Sequence, residues 1–126
     1  MKSIGKNDEL IRFLSFDFTL LSANFYRINI HDDAVLGLTI ELYIELLYAK
    51  GDNHVKLVFS GIEEFSLYYH HTCYFGNIER YKFFRDKERF YISLDPASED
   101  EIIASEDQDF ILSNNVEGFL FKDVKD

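Results

Sequence analysis

The chain has 126 residues, a formal net charge of −10, 13 Phe, 8 Tyr, no Trp and a single cysteine. The negative sign opposes nucleic acid and anionic membranes, which select basic surfaces. Cys73 alone excludes an internal disulfide and a cysteine-built zinc knuckle, and the ring content argues against disorder.

The length fits one domain, residues 1–126. Residues 1–9 are polar and show no signal peptide, and no apolar run has the length of a membrane span. The expectation is a soluble cytoplasmic protein with no membrane or nucleic-acid partner. Asn7 or Asp8 is placed to cap a short helix over residues 9–14, with Leu10, Phe13 and Leu14 on one side. Phe16, Phe18 and Leu20 alternate with polar residues, as do Tyr26, Ile28 and Ile30. That predicts one long bent strand with a bulge near Ala23. The cluster His31, Asp32, Asp33, Ala34 is a turn.

The clearest signal follows. From residue 36 to 48 the even positions are Leu36, Leu38, Ile40, Leu42, Ile44, Leu46 and Tyr48, with Glu41, Tyr43 and Glu45 among those between. A period of two gives a strand one buried and one wet face. Residues 50–53 read as a turn, and Val55, Leu57 and Phe59 as a third strand that Ser60-Gly61 ends or bulges. Phe65, Leu67 and Tyr69 make a fourth, and Gly76-Asn77 is a tight turn. Residues 78–85 and 90–94 form a hairpin around Asp86-Lys87-Glu88, closed by Pro96. Residues 97–108 are irregular. Residues 110–112 and 119–121 close the chain as a strand pair with Asn114-Asn115 at or near the turn. The fold class expected is predominantly antiparallel β, α+β in having one short N-terminal helix, arranged as a curved meander sheet or a small sandwich.

Three clusters bear on function. Asp95, Glu99, Asp100, Glu101, Glu106, Asp107 and Asp109 carry seven of the ten net negative charges with no basic residue between them. Such a run stays solvated or meets counter-charge, so it is either a solubilising loop or a docking surface for a basic protein. Calcium would need the EF-hand spacing and its glycine, which the run lacks. His70-His71-Thr72-Cys73 offers at most His71 and Cys73 on one face of a strand, short of the ligands zinc takes, so the reading is edge packing with no metal. Arg80, Lys82, Arg85, Lys87 and Arg89 interleave with aromatic rings. The acidic total favours cross-strand charge pairing on a wet face over a nucleic-acid surface. No nucleophile elbow, Walker loop, zinc helix or dinucleotide turn is present, and the adjacent carboxylates Glu63-Glu64 and Asp32-Asp33 lack a shared geometry. No catalytic residue and no cofactor follow from the sequence.

The segment V-K-L-V-F-S-G-I-E-E-F-S-L-Y-Y, residues 55–69, and the strand end F-Y-I-S-L-D-P, residues 90–96, resemble small acidic immunity-type proteins of bacterial polymorphic toxin systems. The resemblance runs from Phe16 to Pro96 and rests on packing motifs, so no functional residue is carried across. It implies a non-enzymatic protein that binds and blocks a cognate toxin. Separately, the charge of the acidic run makes it the surface expected to dock a basic partner. Two alternatives stand beside it: a self-associating module whose Tyr43, Tyr68 and Tyr74 form a homodimer face, and a small-ligand binder in a curved sheet.

Overall fold

A computed structural model describes residues 1–49, 51–72 and 75–121, apart from the Phe16 side chain. Lys50, Cys73 and Tyr74 lie outside them. Among the described residues the chain forms one open, antiparallel seven-stranded sheet with a short N-terminal helix. The elements in order are β1 (Lys2–Lys6), α1 (Asp8–Phe13), a 3-10 turn (Phe16–Phe18), β2 (Asn24–Asp33), β3 (Gly37–Glu45), β4 (His54–Ser66), β5 (Lys82–Asp86), β6 (Arg89–Asp95) and β7 (Gln108–Phe121). The sheet order is β2-β3-β4-β7-β6-β5, with β1 also on β7. Neighbours are consecutive in sequence except where β7 inserts between β4 and β6, so the meander is broken at that step. The sandwich alternative does not form.

The two long strands β4 and β7 are the spine. They pair from His54–Phe121 to Ser66–Phe110. One half of the spine also carries β3 and β1, and the other half carries β6. Gly61 has a φ of +63°, and the register shifts between Ile62 and Glu64. A left-handed residue and a bulge bend a continuous strand without ending it. Ser60-Gly61 therefore bulges one strand rather than separating two. Asn114 and Asn115 lie within β7 and not at a turn, because Asn115 pairs with Ser60 on β4 and the ladder carries the chain through.

Side chains sort into rows across the spine. Ile40, Phe59 and Val116 are aligned, as are Leu42, Leu57 and Gly118, and these rows are buried. The alternation is realised over residues 40–46, while Leu36, Leu38 and Tyr48 are exposed. The opposite rows read Tyr43, Lys56, Phe119 and Glu45, His54, Phe121. There Lys56 lies 3.6 Å from Glu41 and 5.3 Å from the Phe119 ring, and Tyr26 hydrogen-bonds His54 at 3.1 Å.

The inner rows are covered by α1, through Leu10, and by Leu14 and Leu20 beyond it. The helix starts one residue earlier than its apolar spacing indicates. Asn7 precedes it without a side-chain capping bond, and its amide oxygen accepts from Val116 N–H at 2.9 Å instead. The expected strand from residue 16 does not form. A 3-10 turn and a left-handed Ser22 intervene, and the bulge falls at the Phe25–Arg27 step rather than at Ala23. Strand β1 has no signal in the sequence. Its only large apolar residue is Ile4, and it exists because the free edge of β7 accepts it.

A Cβ built on Gly118 would collide with Leu10 and Ile4, whose side chains sit directly over it. Gly118→Ala is expected to cost about 1–3 kcal/mol by overpacking, read as a lower urea midpoint with an unchanged slope.

Candidate functional site

Residues 96–107 leave β6 at Pro96 and fold back over Lys82 of β5 and Tyr91 of β6, on the outer face of the sheet. That face carries its own small core of Phe84, Tyr91 and Leu112, with Phe110 packed against it. Strand β6 is consequently buried on both sides from Phe90 to Leu94.

Asp107 pins the loop. Its side chain is fully buried (0 % exposed). One oxygen, Oδ1, accepts the Ala97 N–H at 2.9 Å. The other, Oδ2, accepts from the Tyr91 hydroxyl at 2.7 Å, the Lys82 ammonium at 3.0 Å and the Ala104 N–H at 3.1 Å. Lys82, itself 1 % exposed, also donates to the Ile102 carbonyl at 2.6 Å and lies 3.5 Å from Asp100. Burial pushes the Asp107 carboxyl up, but the Ala97 N–H, the Tyr91 hydroxyl, Lys82 and the Ala104 N–H together hold it below the ordinary carboxylate range. Burial and the Asp107 charge push the Tyr91 phenol up.

Two readings of the sequence are corrected here. Asp107 is buried and not on the acidic surface, so neutralising it removes a buried ion pair as well as a charge. Lys82 is not on a wet face. It does alternate with Phe83 as a strand residue must, but the loop covers the face it occupies. Two other members of the basic island form ion pairs: Arg85 with Asp8 at 2.8 Å, and Arg89 with Asp86 at 2.7 Å and Glu63 at 3.0 Å.

The remaining carboxylates divide into two groups. Glu99, Glu101 and Glu106 are exposed along the loop, and Asp100 is half-exposed with Ser98 donating to it at 2.7 Å. Between them Ile102 and Ile103 are 61 % and 39 % exposed. Asp95 and Asp109 stand instead at the loop's stem, on the wall of a cavity of about 230 Å3.

That cavity exists because the connection from β4 to β5 crosses back to the start of β2. Asn24 bridges Asn77, and the Phe25 N–H donates to the Gly76 carbonyl at 2.7 Å. Phe25 and Leu94 line it as buried apolar residues, with the more exposed rings of Phe75 and Tyr68 beside them. The Phe25 and Phe75 rings meet edge to face at 5.0 Å. Asp109 is left-handed, with φ +50°, and accepts the Tyr68 N–H at 2.8 Å. Burial raises its carboxyl above the ordinary value and the nearby Asp95 charge adds to this, against the lowering effect of the Tyr68 bond. Sequence reasoning assigned both residues to the acidic run and missed the cavity. Phe25 and Asp109 are far in sequence from Tyr68 and Phe75, and the crossing connection brings them together.

His70 and His71 lie beyond the end of β4 with rings 4.4 Å apart, and His70 Nδ1 meets the Thr72 hydroxyl at 2.7 Å. The opposite-face argument for them fails because the strand has already ended. No group of three or more potential metal ligands occurs among the described residues, and no helix there is long and apolar enough to cross a membrane.

Asp107→Ala leaves Lys82 buried without its full counter-charge and orphans two backbone N–H groups, so it is expected to cost about 3–5 kcal/mol in urea denaturation. Because the folded carboxyl is held low, its stabilisation is complete above the unfolded value of about 3.9 and is lost as the pH falls below it. The native protein should therefore lose stability on acidification below about pH 4 more steeply than Asp107→Asn does.

No family model matches the chain, and no curated protein or solved structure shows significant similarity to it.

Proposed function

We propose that this chain is a non-enzymatic binding protein of the bacterial cytoplasm, an immunity protein that neutralises a basic toxin through the loop carrying Glu99, Asp100, Glu101 and Glu106. The observation that carries this reading is the combination on one pinned loop of exposed carboxylates with two exposed isoleucines. A loop serving only solubility has no need of Ile102 and Ile103 in water. An interface does, since it joins an apolar centre to a charged rim. The Asp107 knot supports the same reading, because a loop already ordered loses little entropy on binding.

The test uses the basic product of a neighbouring toxin-like gene. Association followed by stopped flow should slow by about tenfold or more between roughly 50 and 500 mM salt. Replacing Glu99, Glu101 and Glu106 together with Gln should abolish most of that salt dependence and leave the urea midpoint unchanged. Unaltered kinetics in the triple variant would remove the loop from the interface.

A second reading, self-association, has its own observation. The tip of the β2–β3 hairpin exposes Ile30, Val35, Leu36 and Leu38. If a second copy covers this tip, light scattering will give a dimer mass for the native chain and a monomer for Leu38→Glu.

A further inference from the structure

We propose that the cavity at the loop's stem receives a single arginine side chain presented by the partner, with its guanidinium against Asp109 and Asp95 and its plane on the Tyr68 and Phe75 rings. This rests on the reading of the protein as a binder of a basic protein, and it names the contact that the charged rim would deliver.

The size selects the ligand first. A volume of about 230 Å3 is below the range of about 300–1,000 Å3 that encloses a drug-sized molecule, and suits one long side chain. The walls select it next. Glu79, Asp95 and Asp109 face the cavity against one cation, Arg80. Arg80 donates to the Pro96 carbonyl at 3.2 Å and forms no ion pair among the described residues. Asp95 and Glu79 form none either. The cavity thus keeps an excess of negative charge beside aromatic rings. A guanidinium answers both features, since it forks onto carboxylates and stacks on ring faces, whereas an ammonium is a strongly hydrated point charge.

The backbone is consistent with this use. Asp109 holds a left-handed conformation that suits Asn or Gly as well as Asp. Its burial beside Asp95 makes the ionised form costly in the free protein. That cost is absent at low pH, appears as the pH rises past the unfolded value of about 3.9, and is complete above the raised folded value. An arriving cation would remove it. A residue kept only for stability would be better as asparagine, which retains the acceptor for the Tyr68 N–H without the charge.

The experiment titrates the full chain with N-acetyl-arginine amide, N-acetyl-lysine amide and N-acetyl-citrulline amide, following backbone amide resonances by NMR. Arginine should give saturable shifts at Tyr68, Gly76, Asn77 and Asp109, with lysine weaker and citrulline without effect. Asp95→Asn combined with Asp109→Asn should weaken the arginine response about tenfold or more. Urea denaturation of Asp109→Asn should show a midpoint equal to or above the native one, which separates lost binding from lost folding. Absence of saturable shifts, equal binding of citrulline or lysine, or an unchanged response in the double variant would overturn the assignment. The rim and the cavity fail separately, because the probe reads the cavity with no partner present and the salt dependence reads the rim.

Discussion

A carboxylate taken fully out of water must be met by donors on nearly all its lone pairs, or it unfolds what surrounds it. Asp107 meets that condition with four donors drawn from β5, β6 and both ends of the loop it closes. The consequence reaches beyond one residue. Lys82 can be buried only because Asp107 and the Ile102 carbonyl receive it. Tyr91 can fill the outer core only because its hydroxyl has an acceptor. The loop runs across the sheet, rather than out into water, because both its ends are bonded to the same carboxylate.

The sheet needs this cover for a geometric reason. Bending at Gly61 turns the spine so that its two halves meet different surroundings. On the first half the inner rows pack under α1 and the outer rows stay half-wet, held by ion pairs and ring contacts around Tyr43 and Lys56. On the second half the rings of Phe84, Tyr91 and Phe110 occupy the outer face. A second sheet would be the usual cover for such a face. Here a loop of a dozen residues does the same job, and its excess carboxylates are turned outward because the inward positions are taken by Asp107 and the loop's own backbone.

Much of this architecture was legible from residues 40–46, where the period of two is realised as alternate burial. The run of β6 from Phe90 to Leu94, apolar but for Ser93, also carries a readable signal. A strand without alternation is buried on both faces, and Lys82 sits opposite Ser93 in that strand, so its face had to be covered. The errors lie where a local pattern was overridden by pairing. Ser60-Gly61 and Asn114-Asn115 have turn chemistry, yet they face each other across β4 and β7 and bend the ladder together. Strand β1 is made by a free edge and not by its own propensity. Asp107 could not be told from its acidic neighbours by composition, since its distinction is the set of donors that only the folded loop assembles.

Asp107 and Asp109 are two residues apart, share one side-chain type and meet opposite fates. The first has four donors and a carboxyl held low. The second has one backbone N–H, a like charge nearby and a carboxyl pushed high. The chain evidently can satisfy a buried acid, since it does so within the same turn of backbone. Asp109 instead stands half-buried beside Asp95 on the wall of an open, ring-lined cavity, where its ionised form is disfavoured. A cation placed against the two carboxylates would favour the ionised form, and the cavity beside them has the size and the walls to admit one.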